Sequence, residues 1–584
     1  MRGLAFLTLS CWSCFATQSY VVEFFGIEDT QVLQAVKDAS ELELLQTRPP
    51  ASLNGLRYRI KQDIPNLLNV LKAYSYYDAT IHYEIDDERR LAKVLIYIHP
   101  GQRYYLAKYE IMHGDCSQPL ELCHRVCPEQ LGLEVGSAVD SSQIINAELL
   151  VLQELSTCGY PLAYIDKRRV IVDVEEKSVT AGVCVQEGPL ARFGPITFFG
   201  LNTVDPRFIE RKIAWREGEV FNSDLIAETQ NRILASDLFS SVMVSYSESL
   251  NEAGELPMNV RLSETKHRTV NLGFFYGTVD GPGGSFSWTH RNVGGMGDQL
   301  NINGNVSGGF INGEIIFRKP DIWRADQTLS ILAEVSREDI KPYLAFTYRE
   351  SNRIERQVDP KRTFQIGIKA EYISVHESAN NGHYCLLGIP FFGRYIDSDS
   401  PMNPMKGYFL SYGGTIYQSF QRLHVHFYKQ QLRGAIYIPF NQKKTLSLAL
   451  EAMVGSIAGT DQRDVPLPKL FLGGSEDDLR GYTYRTVSPL LNGRKPLGGR
   501  SAIFTTAELR WRVGNFGLVP FADFGTVSFH ELPTVTKKWF KSVGFGIRYF
   551  TFFGPLRVDV GFPLDKRKHI DTWGKVYATI GQTF

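Results

Sequence analysis

One arginine, Arg480, sits in the segment Phe471-Leu-Gly-Gly-Ser-Glu-Asp-Asp-Leu-Arg-Gly-Tyr482, between glycines and two residues ahead of an aromatic. A guanidinium is a planar fork of donors, so its strongest chemistry is bidentate pairing with carboxylates. Gly473, Gly474 and Gly481 let the backbone bend and pack closely around it, and Tyr482 can anchor the segment by stacking and a hydroxyl contact. Asp477 and Asp478, just upstream, stand where they would compete for the arginine. Elsewhere no catalytic set emerges. Gly284-Ser285 and Gly294-Gly-Met-Gly297 lack the strand-to-helix context of a nucleophile elbow or a phosphate loop. His424 and His426 alternate along one strand face but have no third ligand nearby, so they read as lumen or girdle residues and no metal site is expected. The residue chemistry is therefore ion pairing, with no catalytic residue and no cofactor.

The elements that must position Arg480 have a period of two. From about residue 267 onward, Leu556, Val558, Val560 and Phe562 form one face of a strand, with Arg557, Asp559 and Gly561 on the other. Glu508, Arg510 and Arg512 oppose the apolar residues of their strand, and Leu446, Leu448, Leu450 and Ala452 oppose Ser447 and Glu451. A soluble sandwich alternates too. Long segments, a secretory leader and an aromatic at the last position tip the reading to a membrane barrel. The 267–584 stretch admits roughly fourteen to eighteen strands of about 9–11 residues.

Met1-Arg2 followed by the apolar run from Leu4 to Ala16 reads as a signal peptide over 1–16. No later run approaches about 18 apolar residues, so no transmembrane helix is expected. Formal net charge is zero with 22% charged residues, which gives no reason to expect a nucleic-acid partner. Five cysteines fall between Cys116 and Cys184: these two with Cys123, Cys127 and Cys158. Outside the cytoplasm disulfides are expected among them, with at least one left unpaired locally and the pairing open. The Cys123-x-x-x-Cys127 spacing is the weaker case for a metal.

Before residue 267 a pattern recurs: a strand, two helical stretches, then two strands. The units are 17–104, 105–190 and 191–266. In the first, helices are expected around 29–46 and 53–74, and paired strands at Ala79–Ile85 and Ala92–Ile98. A glycine follows the opening strand at Gly26, Gly114 and Gly200.

In order, the Arg480 segment, Phe521-Ala-Asp-Phe-Gly525, Ser542-Val-Gly-Phe-Gly-Ile-Arg548, Gly554-Pro-Leu-Arg-Val-Asp-Val-Gly561 and the terminal Tyr577-Ala-Thr-Ile-Gly-Gln-Thr-Phe584 resemble the C-terminal half of the BamA/TamA family of outer-membrane assembly factors. Lys406-Gly407 resembles a further family signature at a strand start. The repeats resemble POTRA domains, periplasmic modules of that family. The resemblance implies α+β POTRA repeats followed by an all-β barrel (267–584) of about sixteen antiparallel strands, in the Gram-negative outer membrane. It places Leu479, Arg480, Gly481 and Tyr482 on a long extracellular loop folded into the lumen, with Glu508 and Asp523 as partners of Arg480. It makes the first and last strands a lateral seam, marked by Leu272, Phe274, Ile580, Gly581 and Phe584. Three repeats point to a TamA-like factor acting on unfolded outer-membrane protein clients in the lipid bilayer, with a TamB-like envelope-spanning partner and no enzymatic activity. The alternatives are a two-partner-type secretion transporter, the principal BamA-type insertase, or a passive porin.

Overall fold

The computed structural model describes residues 19–87, 91–121, 127–277, 281–324, 326–378, 381–400, 403–421, 424–534, 538–551 and 554–580. The leader expected over 1–16, Cys123, Gly581 and Phe584 lie outside the described residues. The chain divides into two compact units: Met1–Phe199 with Ile213–Asn231 and Met243–Arg261, and Gly200–Lys212 with Arg232–Val242 and Leu262–Phe584.

In the first unit, strand Tyr20–Phe25 runs parallel to Ala92–His99, which pairs antiparallel with Thr80–Asp86. Helix Leu53–Ala73 lays Leu56, Ile60, Leu67 and Leu71 against this sheet, the stripe that a 3.6-residue period requires. The single helix expected around 29–46 is instead two, Thr30–Ala39 and Glu41–Leu44. The break has a cause. Buried Asp63 accepts hydrogen bonds from Ser40 Oγ at 2.7 Å, Glu41 N at 3.0 Å and Leu42 N at 3.1 Å. A buried carboxylate needs such donors, and an unbroken helix would not free them.

The same strand order, first–third–second, recurs in Tyr105–His113, Ser178–Gln186 and Tyr164–Asp173, and again in Arg192–Phe199, Glu255–Glu264 and Phe239–Tyr246. Gly26 and Gly200 play one role in two of these sheets. Each has positive φ, and a Cβ on either would lie 2.0 Å from a carbonyl oxygen, of Ile98 and Leu262 respectively. Only glycine lets the opening strand leave so close to the central one. Beside the middle sheet, Cys116, just past the opening strand, is disulfide-bonded to Cys184 on the central strand. Cys158 is also in a disulfide, and Cys127 is free and exposed.

From residue 268 to 580, sixteen strands each pair with their sequence neighbours, from Arg268–Gly277 to Lys575–Ile580. The alternation is inverted relative to a soluble protein. On strand Phe540–Thr551, Val543, Phe545, Ile547 and Tyr549 are exposed while Ser542 and Arg548 are buried. The same holds for Leu556 and Val558 outside, and Arg557 and Asp559 inside. An apolar outer band around a polar lumen matches a hydrocarbon surround, not water. Among the described residues no helix is long and apolar enough to cross a membrane. The first and last strands approach each other, yet among the described residues no ladder joins them.

The Cys116–Cys184 bridge closes a loop across a sequence separation of 68, and a loop of that size is worth about 2–5 kcal/mol to the module that holds it. Replacing both cysteines by serine should make the 105–190 region the first part of the chain cut in limited proteolysis, with barrel fragments unchanged. Equal resistance of variant and parent would show the bridge to be dispensable.

Candidate functional site in the barrel lumen

Successive strands run in opposite directions, so the connection between the eleventh strand, Leu446–Ala458, and the twelfth, Ser501–Val513, leaves from the end opposite the start of the first. It turns back inside. Val465, Leu467, Leu470, Phe471, Leu479 and Val487 of this loop form one apolar cluster with wall residues including Tyr343, Ile373, Phe427 and Phe504. The loop is thus held against the inside of the wall by a shared apolar cluster.

Next to that cluster Arg480 meets the wall, with almost none of its surface left accessible. Its Nε and Nη2 donate to Asp523 Oδ2 and Oδ1 at 2.9 and 2.7 Å, a bidentate fork. Its Nη1 donates to Glu508 Oε1 at 2.7 Å and to Asp559 Oδ2 at 3.1 Å. The backbone N of Arg480 also donates to Asp523, at 3.1 Å, and the guanidinium carbon lies 3.4 Å from the centroid of the Phe521 ring. Burial works against the charge, but Asp523, then Glu508 and Asp559, more than offset it and hold the Arg480 pKa above its usual value.

The approach depends on two facing glycines. Gly481 has φ +92°, and a Cβ there would lie 2.7 Å from the carbonyl carbon of Gly561; a Cβ on Gly561 would lie 2.8 Å from that of Arg480. Any side chain at either position would push the arginine away from its carboxylates.

Three further arginines complete the cluster. Arg510 donates twice to Glu508 Oε2, both at 3.0 Å, and once to the carbonyl of Pro404. Arg557 Nε donates to Asp559 Oδ2 at 2.7 Å, and Arg548 pairs with the same carboxylate. Four guanidiniums, one from the loop and three from the wall, therefore face three carboxylates drawn from three strands. Around them the loop is fastened by ordinary contacts. Gly481 N donates to the Tyr577 hydroxyl at 2.9 Å, and Tyr482 donates to the carbonyl of Lys541 at 2.8 Å while packing edge-on to Phe540. Arg485 reaches Glu338 at 2.8 Å, and Lys469 reaches Glu371 at 2.7 Å.

Both carboxylates expected to face Arg480 do so. Asp559, Arg510, Arg548 and Arg557 belong to the same cluster but were not assigned to it from sequence, although the alternation in 556–562 already put Arg557 and Asp559 on the polar face. What was missing is register: Thr506 pairs with Asp523, Asp523 with Ser542, and Gly546 with Asp559. Asp477 and Asp478 do not compete for the arginine. Asp478 Oδ1 instead accepts from Gly474 N and Ser475 N at 2.8 and 2.7 Å, holding the loop's own turn. His424 precedes the tenth strand, which begins at His426, and among the described residues no group of metal ligands forms. Gly407 opens the ninth strand with φ +111°. Leu272 and Phe274 of the first strand are strongly exposed.

Removing one member of a buried ionic cluster leaves its partners uncompensated, at a cost of about 3–5 kcal/mol. Arg480→Ala should therefore lower the temperature at which the folded barrel loses its compact mobility in gel electrophoresis. Arg480→Lys, which keeps the charge but not the fork, should fall between. Variants indistinguishable from the parent would mean that the pairing contributes nothing to barrel stability.

A family model described as the Omp85 superfamily domain matches residues 292–584, and one for POTRA, described as surface antigen variable number repeat, matches 191–280. Among curated proteins, the outer membrane protein assembly factor BamA of Nitratidesulfovibrio vulgaris is 22% identical over 457 residues, 73% of this chain and 55% of the relative. BamA of Neorickettsia risticii is 22% identical over 407 residues, 65% of this chain and 53% of its own length. The chain spans about half the length of the curated relatives it matches. The crystal structure of BamA from Haemophilus ducreyi lacking POTRA domains 1–3 covers 82% of this chain and 99% of that one, with a TM-score of 0.69 at 16% identity, a likeness of fold. The chain belongs to the Omp85 superfamily, with its barrel in the bacterial outer membrane and POTRA modules in the periplasm.

Proposed function

We propose that this chain is a TamA-like assembly factor that inserts β-barrel or autotransporter clients into the outer membrane through a lateral opening between its first and last barrel strands. The observation that carries the reading is the seam itself: among the described residues, neighbouring strands share ladders throughout, but the first and last do not. Each ladder bond contributes about 0.5–1.5 kcal/mol net, so a seam without one is the least costly place for the wall to part. The Arg480 loop bears on the same event. It holds the last strand through Gly481 and Tyr577 and the fifteenth through Asp559, so it stabilises one side of the seam while the other is free to move.

Three POTRA-like modules, over 17–104, 105–190 and 191–266, would deliver unfolded clients. The first–third–second strand order leaves the second strand of each sheet at an edge, where an extended segment can add by β-augmentation. A TamB-like envelope-spanning partner would dock on the periplasmic side. Insertion needs no bond chemistry, only a lowered barrier where the wall opens into the bilayer.

Crosslinking tests the reading. With native cysteines removed, single cysteines near Leu272 and Ile580 should form a disulfide in membranes and block client insertion. Crosslinking with insertion intact would overturn lateral opening and favour passage of a dedicated substrate through the lumen. Absence of a crosslink at every register tried would overturn the proposed seam.

A further inference from the structure

At the foot of the first strand the chain forms a cavity of about 620 Å³, lined by Lys266, His267, Arg268, His290, Asn292 and neighbouring small or apolar residues, and by no carboxylate. Among the described residues neither the Lys266 ammonium nor the Arg268 guanidinium has an ion-pair or hydrogen-bond partner. The nearby acid, Glu264, is occupied: it accepts from the backbone of Asn202, Thr203 and Val204 and from the Thr203 hydroxyl. His267 Nε2 lies 2.9 Å from Thr203 Oγ1, while its Nδ1 is buried without a partner. Asn292 fixes the floor, donating to the Thr203 carbonyl at 3.1 Å and accepting from Gly297 N at 3.0 Å. His267 Nε2 also lies 3.4 Å from Glu264 Oε2, so the two cations left without an acid here are Lys266 and Arg268.

The register says what they face. Arg268 pairs with His290, Val270 with Trp288, and Leu272 with Phe286. A strand alternates faces with a period of two, so Arg268, Val270, Leu272 and Phe274 share a face. That face is the membrane side, since Val270, Leu272 and Phe274 are 59%, 72% and 94% exposed. A cationic pair thus stands at the periplasmic foot of a long apolar stripe, with Trp288 next along it, where interfacial aromatics sit. A free anion would satisfy the cations but has no use for the stripe. An amphiphile satisfies both.

We propose that this cavity holds the headgroup of an anionic phospholipid of the periplasmic leaflet, with its acyl chains lying along Val270, Leu272 and Phe274. The site is independent of the insertion reading and needs only the barrel's place in the membrane. It would tether one lipid to the seam strand, on the side where the wall is least joined.

The test uses the full chain in detergent, with phosphatidylglycerol or phosphatidylcholine added and bound lipid read by native mass spectrometry. The parent should retain phosphatidylglycerol in preference to phosphatidylcholine. Each basic residue near a membrane surface adds a factor of roughly five to anionic-lipid affinity, so Lys266→Ala with Arg268→Ala should lower retention by about tenfold or more. Lys61→Ala with Lys72→Ala, in the first module, should not. Dibrominated phosphatidylglycerol should quench tryptophan emission of the parent, and Trp288→Phe should remove the quenched component. Equal retention of the two lipids, a Lys266/Arg268 variant that binds like the parent, or quenching indifferent to Trp288 would each overturn the site. Displacement of the lipid by millimolar inorganic phosphate would reduce it to a simple anion site.

Discussion

A guanidinium removed from water is tolerated only where carboxylates and acceptors take over its solvation, and Arg480 is the point on which the barrel interior is organised. Three carboxylates reach it from the twelfth, thirteenth and fifteenth strands. Arg510, Arg548 and Arg557 then keep those carboxylates from being in excess. Bringing the arginine to that depth requires a loop backbone in van der Waals contact with the wall, hence Gly481 against Gly561. The rest of the loop follows from the anchor: once its middle is fixed in the lumen, its apolar residues pack against the wall, and its flanks pair with Glu338 and Glu371 on distant strands.

The same constraint separates the two faces of the wall. Charged residues can be buried here because the lumen supplies partners, while the outer face is free to be apolar because lipid covers it. Strands rich in arginine and aspartate are therefore not surface strands in the usual sense. They are lumen walls, and their exposed residues are valine, leucine and phenylalanine. Where this division breaks down, as at the foot of the first strand, unpaired cations mark contact with something other than protein or hydrocarbon.

The modules ahead of the barrel obey ordinary soluble packing, each with a helix laid on a three-stranded sheet. They differ in how they are secured. The first uses a buried Asp63 that ties two helices to a third, and the second a disulfide on its central strand. The repeated glycine at the exit of the opening strand is a steric requirement set by the carbonyl of the strand beside it.

By itself the sequence determined the faces. Period two in 507–513 and 556–562 assigned Glu508, Arg557 and Asp559 to the polar side without a structure, because alternation is a local property of an extended chain. The motif around Arg480 identified the arginine and two of its partners by resemblance. Register was decided only in the tertiary structure. Which polar residues of adjacent strands lie side by side depends on ladder alignment between segments tens of residues apart, and a shift of one residue exchanges lumen for membrane. For that reason Asp559, Arg510 and Arg557 were visible as polar-face residues, and Arg548 only as the end of a motif, but none of them as members of one cluster. The division of the first helix at Ser40 was hidden for the same kind of reason: its cause, Asp63, lies on another helix. The cationic cavity at Arg268 likewise exists only because the second strand brings His290 alongside.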